Sequence, residues 1–281
     1  LTANAEAGQS EAGLVTADQA SQAEAAIPAL TLSPRQLGDL ELILSGALAP
    51  LTGFMTRAEI AAVTAAGARS DGTPWPIPVA LEVPAEAVPA DADRVMLSDP
   101  EGTPLAVLSI TERADLGTLT GLAGVVAKNR PVEHGSFRRL MISPEQARAE
   151  FGDVPVLAFA TRAPLGRRQI GQLRHLAGQL KARLLLMPLI AGPAVVVREP
   201  ESLIRAVLAA ARALPAGTLV IPVPLAPRDL PPDREVAAAA IIAAAYGATH
   251  LMTDEAGELA GTRSGRAAGG QAAAGPAGPA G

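Results

Sequence analysis

A chain of 281 residues with 49% hydrophobic side chains has material for one large or two medium domains, and with aromatics at 2% its core must be aliphatic. A formal net charge of −5 argues against a general nucleic-acid surface, which needs a basic excess and stacking aromatics. Cysteine is absent, which excludes disulfides and thiolate metal sites.

The three histidines, His134, His175 and His250, lie far apart without ligand spacing, so no structural metal is expected. No apolar run approaches the roughly 18 residues of a membrane helix. Residues 1–26 lack the basic start and apolar core of a leader peptide. The expectation is a soluble, cytoplasmic protein that engages neither membrane nor nucleic acid. Leu1 in place of a starting Met marks the chain as a candidate fragment.

Residues 1–26 are rich in Ala, Glu, Gln and Ser, have little to bury, and are expected to be disordered. Order begins at Ile27–Leu32. Ser33 and Pro34 read as a helix cap and first helical residue, Leu37, Leu40, Leu42 and Leu44 follow, and Gly46 closes the helix. Asp39 and Glu41 are expected on its solvated face, and Trp75 as a packing residue of a β-rich barrel. A strand over Ile77–Val83 and a hairpin of Arg94–Leu97 with Leu105–Thr111, turning at Asp99-Pro100-Glu101-Gly102, complete a β-rich domain over residues 27–142.

From Ser143-Pro144 the pattern changes. A short helix to Phe151 precedes a strand at Val154–Phe159, a helix over 166–181 and a strand at Leu184–Leu189. A helix at Glu201–Leu214, a strand at Thr218–Val223, a helix at Arg234–Tyr246 and a strand at Thr249–Met252 follow. This alternation predicts a parallel sheet covered on both faces, a Rossmann-like architecture over residues 143–258. No G-x-G-x-x-G is present, so nothing supports a dehydrogenase. Residues 259–281, rich in Gly, Ala and Pro, read as a flexible tail or interdomain linker.

The chemistry concentrates in residues 153–176, where a buried strand stops at a turn, Thr161–Leu165, before an amphipathic helix. Free backbone N–H groups and the helix dipole make such a junction a natural anion site. Arg162, Arg167 and Arg168 lie in this loop and first turn with no acid among them.

The ten residues Ala160-Thr161-Arg162-Ala163-Pro164-Leu165-Gly166-Arg167-Arg168-Gln169 resemble the Q-T-R-N-P-x-H-R-x-H pattern of the ATP sulfurylase (sulfate adenylyltransferase) family. Thr161, Arg162, Pro164 and Arg167 match. The family's Gln, Asn and two histidines are Ala160, Ala163, Gly166 and Gln169. Two other stretches carry the likeness. Leu32–Met55 is similar to the family's D-L-E-L-I-x-x-G-A-F-x-P-L-x-G-F-M run, through Asp39, Glu41, Gly46, Pro50, Gly53 and Phe54. Arg234–His250 resembles R-E-A-L-L-H-A-I-I-R-K-N-Y-G-A-T-H, with the polar helix positions replaced by Ala239, Ala243, Ala244 and Ala245. Trp75-Pro76-Ile77-Pro78 also fits, His134-Gly135 stands where the family has a His-Pro-Gly turn, and Arg228 occupies the place of an active-site arginine.

The resemblance implies a PUA-like β-rich domain followed by a nucleotidyltransferase domain. It implies a role in sulfate activation, in which ATP, used with magnesium, and sulfate give adenylylsulfate and pyrophosphate. No tightly bound cofactor is expected. Thr161, Arg162, Arg167 and Arg228 are the implied ligands for a small anion such as sulfate, ATP or adenylylsulfate. The family's T-K-P-G-D loop is Gly192-Pro193-Ala194-Val195 here, and its G-R-D-H-A-G loop is Thr253-Asp254-Glu255-Ala256-Gly257. With the histidine positions held by Gly166 and Gln169, catalysis is expected to be weak or lost. The other reading is a non-catalytic regulatory or scaffolding module, joined to or partnered with an adenylylsulfate kinase domain. For Arg167 and Arg168, solvation or pairing with acids such as Asp229 and Glu235 is favoured over anion binding.

Overall fold

The computed structural model describes residues 27–129, 137–191, 200–253 and the strand Leu259–Gly261. Residues 1–26, the His134-Gly135 turn, the loop at Gly192–Val195, Asp254–Gly257 and the chain beyond Gly261 lie outside the described residues. Two compact units emerge, and the division does not follow the chain simply. The first contains residues 27–33, 53–57 and 80–129; the second contains residues 34–52, 58–79 and everything described from 137 onward.

The first unit is one sheet. Its strands are β1 (Ala29–Thr31), β2 (Gly53–Phe54), β3 (Leu81–Pro84), β4 (Arg94–Ser98), β5 (Pro104–Asp115) and β6 (Leu119–Lys128), in the order β1-β4-β5-β6-β2 with β3 also on β6. Only β1 and β4 run parallel. The expected hairpin is present, with Arg94 opposite Ser109, and Asp99 Oδ1 accepts from the Thr103 N–H at its turn. Strand β6 was not foreseen, because Gly121 and Gly124 break its apolar alternation. Gly124 has φ +152, and a Cβ there would lie 1.8 Å from the Ser109 carbonyl oxygen. It sits beside the β5–β6 register shift, where only glycine allows the backbones to approach. Leu97, Leu105, Leu108 and Leu122 are almost wholly buried, giving the aliphatic core that the composition requires.

The second unit is built on a five-stranded sheet. Helix α1 (Pro34–Ser45) and helix α2 (Arg57–Ala66) come first in the chain. Helix α3 (Pro144–Phe151) is started by a capping box between Ser143 and Gln146, as Ser143-Pro144 predicts. There follow β7 (Val156–Thr161), α4 (Arg167–Leu180), β8 (Arg183–Pro188), α5 (Pro200–Ala211), β9 (Leu219–Val220), α6 (Pro232–Ala245), β10 (His250–Thr253) and β11 (Leu259–Gly261). The strand order is β11-β10-β7-β8-β9, parallel except for β11. The short strand β11 falls within the stretch that reads as a tail. Leu157 and Phe159 of β7, Leu184 and Leu186 of β8, Leu173 of α4 and Val207 of α5 form one core cluster. The alternate residues Val156, Ala158, Leu185 and Met187 are also buried, as a sheet covered on both faces requires.

Three expectations are corrected. Val154 is 43% exposed and the strand starts at Val156, where pairing with Arg183 begins. Trp75 is buried, but it groups with the second unit, its backbone N–H donating to the Gly67 carbonyl. Asp39 and Glu41 do not face solvent. Asp39 is 0% exposed, and Oδ1 accepts from Arg228 Nη2. The helix turns this face inward because Gly38 lies against the Pro224 carbonyl, where any side chain would clash. The end of α1 is held by Ser45, whose hydroxyl donates to the Leu42 carbonyl and accepts from the Ala47 N–H. Arg234 donates to the carbonyls of Val63 and Thr64, satisfying the open end of α2.

Removing one partner of a buried ion pair strands the other charge, at about 3–5 kcal/mol. Asp39→Ala is therefore expected to lower the urea midpoint sharply, read by circular dichroism. Glu41 is half-buried, and burial pushes its carboxyl from an ordinary 4.5 up to about 7. The folded state then holds this proton more tightly than the unfolded one, so Glu41 favours folding below pH about 4.5 and loses that contribution as pH rises to about 7. Glu41→Gln is expected to melt with the parent at pH 4.5 and above it at pH 8, by thermal denaturation across that range.

Candidate anion-binding site

The order β10-β7-β8-β9 places a topological switch between β7 and β10. From β7 the chain goes by α4 to β8 on one side, while α6 returns it to β10 on the other. In open α/β sheets ligands enter the crevice at the carboxyl ends of strands at such a point. A cleft of about 90 Å³ lies there, lined by Ala160, Thr161, Arg162, Leu189, Glu235, Val236, Ala239 and Thr253. A water needs about 10–15 Å³ on the same scale, so the cleft accepts a group the size of a tetrahedral anion.

Its polar side begins with Thr161, which ends β7 and is buried. The hydroxyl donates to the Ala163 carbonyl at 2.6 Å and accepts from the Ala163 N–H at 3.0 Å, folding the turn back on itself. Arg162 points across the strand ends. Its Nη1 donates to the Leu225 carbonyl at 3.0 Å and the Ala191 carbonyl at 3.4 Å. Its Nη2 stands 3.9 Å from Glu235 Oε2, with the side chains 22% and 31% exposed. Glu235 is thus an internal counter-ion in the cleft, anchored by Oε1 accepting from the Arg228 N–H at 2.9 Å. The buried Thr253 hydroxyl, at the end of β10, has no hydrogen-bond partner among the described residues.

The other predicted ligands are placed differently. Arg228 is committed to structure: its side chain is 3% exposed, paired with Asp39, and donates to the Pro78 and Ala226 carbonyls. Only its backbone N–H reaches toward the cleft, through Glu235. Arg167 and Arg168 are exposed on the first turn of α4, with no ion pair to a described residue; Asp229 is exposed, and Glu235 faces Arg162 instead. Gly166 caps α4, and the Gln169 Oε1 accepts from the Gly166 N–H at 2.6 Å. One of the amides that the strand-to-helix junction offers to an anion is therefore already bound. Sequence reasoning named Glu235 only as a partner for the arginines, and it did not find Thr253's part in the cleft. The remaining wall, Ala160, Leu189, Val236 and Ala239, is apolar. No group of three or more His, Asp or Glu able to hold a metal occurs among the described residues.

These features define a class: a β-rich unit with a Rossmann-like parallel α/β unit whose switch-point cleft presents one arginine. A PUA-like domain model matches residues 9–143. Sulfate adenylyltransferase from Deinococcus radiodurans is 32% identical over 259 residues, 80% of this chain and 65% of that protein. The Saccharomyces cerevisiae sulfate adenylyltransferase is 29% identical over 253 residues, 79% of this chain and 49% of that one. A solved structure described as a hexameric APS kinase from Thiobacillus denitrificans has TM-score 0.73 and 32% identity, covering 83% of this chain and 48% of its own. The chain belongs to the sulfate adenylyltransferase family, and it spans between about half and two-thirds of the length of these relatives.

Glu235→Gln keeps an amide oxygen for the Arg228 N–H but removes the charge facing Arg162. Opposite charges about 4 Å apart near a surface interact by roughly 1–4 kcal/mol. Sulfate affinity is expected to rise at least about fivefold in this variant and to vanish in Arg162→Ala, measured by titration calorimetry.

Proposed function

We propose that this chain is the sulfurylase-like portion of a protein of sulfate activation, whose cleft binds a sulfate- or phosphate-sized anion through Arg162 and whose catalysis is weak or lost. In the reaction of the family, a sulfate oxygen attacks the α-phosphorus of ATP and the bond to pyrophosphate breaks. Two polyanions must be brought together, and charge stabilisation carries most of the catalysis. The observation that carries the proposal is the state of the two histidine positions. Gly166 has no side chain, and Gln169 is neutral and bound to the Gly166 amide. Neither supplies a positive charge to a developing phosphate oxyanion. Ala239 removes a further polar group from the cleft wall, and Arg162 is already partly neutralised by Glu235. Losing one charge-stabilising donor costs on the order of 10²–10³ in rate.

The second reading is a non-catalytic sulfurylase-like module joined to, or partnered with, an adenylylsulfate kinase. What favours it is the structural neighbour described as an APS kinase, of which this chain covers 48%. The test uses the favourable direction, in which adenylylsulfate and magnesium pyrophosphate give ATP. With a luciferase readout, ATP formation is expected to stay at the background of Arg162→Ala at high protein concentration. ATP formation well above that background, lost in the mutant, would establish a working sulfurylase.

A further inference from the structure

Charge is strongly segregated along this chain. It carries 28 acidic residues, yet none occurs between Asp153 and Glu199. Helix α4 lies in the middle of that interval, and its outer face carries basic side chains and no acidic one. Leu173 and Ala177 point into the core, while Arg167, Arg168, Arg174, His175 and Lys181 are exposed. None of these five forms an ion pair with a described residue, unlike Arg183, which pairs with Glu150. At 100° per residue, Arg167 and Arg174 form one row, which Lys181 follows as the left-handed C-cap, and Arg168 and His175 form a second. Between the rows stand Gly171 and Gly178, both exposed, with nothing within 4 Å of where a Cβ would be. The face is a furrow with a glycine floor and basic walls.

Local helix physics does not account for it. A lysine at the C-terminal end suits the dipole, but two arginines in the first turn oppose it. Glycine in a helix interior is unfavourable by about 1 kcal/mol relative to alanine, and no packing contact requires it at either position here. Both features become favourable once an acidic chain lies in the furrow.

We propose that the outer face of α4 is a docking surface for an acidic helix of a partner protein. Arg167, Arg174 and Lys181 repeat every seven residues, about 10.5 Å. A helix laid nearly parallel repeats its own facing side chains at that interval, so a row of Asp or Glu meets the row one for one. The glycines let the partner's backbone approach closely. A nucleic acid fits less well, because residues 167–181 contain no aromatic side chain for stacking and the whole chain carries −5. The surface is separate from the anion chemistry of the cleft, so a failed sulfurylase assay leaves it untouched.

The probe is a fluorescein-labelled, alanine-rich helical peptide of about 21 residues with Glu repeating every seven, titrated with the full chain in low salt by anisotropy. Charge reversal in Arg174→Glu/Lys181→Glu is expected to weaken binding at least about tenfold, with binding also falling as salt rises. Gly171→Leu/Gly178→Leu fills the furrow without touching charge; it is expected to raise the melting temperature while weakening the peptide by a similar factor. No binding of the peptide, or binding indifferent to both variants, overturns the proposal. A single-stranded RNA of equal charge that binds more tightly than the peptide, and is lost with the same charge reversal, overturns it in favour of nucleic acid.

Discussion

The buried contact between Asp39 and Arg228 is the constraint on which the second unit depends. Two charges taken out of water are tolerated only with close geometry and further hydrogen bonds. Arg228 has both, through the carbonyls of Pro78 and Ala226. Such a pair adds little net stability compared with apolar packing, but it fixes position, because a shifted helix would leave two unpaired buried charges. It fastens α1, early in the chain, to the segment before α6, 189 residues later. From there a polar chain runs to the cleft: the Arg228 N–H holds Glu235, Glu235 faces Arg162, and Arg162 grips the Leu225 and Ala191 carbonyls. Arg162 is aimed by this network rather than by its own turn.

The same network governs what the cleft can do. An arginine facing open solvent would be a simple anion hook. Here a carboxylate stands 3.9 Å away, so an incoming anion must compete with a fixed negative charge. The apolar wall from Ala160, Val236 and Ala239 strengthens any charge interaction made inside, but provides no further donor. Binding and catalysis are therefore separable in this site. In the proposed reading one arginine and the Thr253 hydroxyl hold a sulfate-sized group, whereas transfer chemistry needs several charges placed where the transition state develops them.

Much of this was legible in the sequence, and the misses have physical causes. After Ser143 the 3.6-residue pattern of the helices stood apart from short continuous apolar runs, the mark of strands with both faces buried, as Val156–Thr161 has. The strand-to-helix junction at Thr161–Gly166 pointed to the cleft through its turn chemistry and arginines. Strand β6 escaped because glycines required by close backbone approach interrupt its pattern. Asp39, Glu41 and Arg228 were misplaced for one reason: a charged residue on an amphipathic helix or in a loop is solvated unless a distant partner meets it, and no local spacing reveals that partner.

The sequence by itself determined the family, the alternation that makes a parallel sheet, and the absence of histidines from the strand-to-helix junction. These are properties of the residues in order, and neighbours along the chain suffice to express them. Tertiary structure alone decided that α1 and α2 group with the second unit, that Arg228 is structural, that Gln169 caps a helix, and that Glu235 guards Arg162. Each depends on which side chain fills the coordination of another far away in sequence, and only packing and desolvation set that.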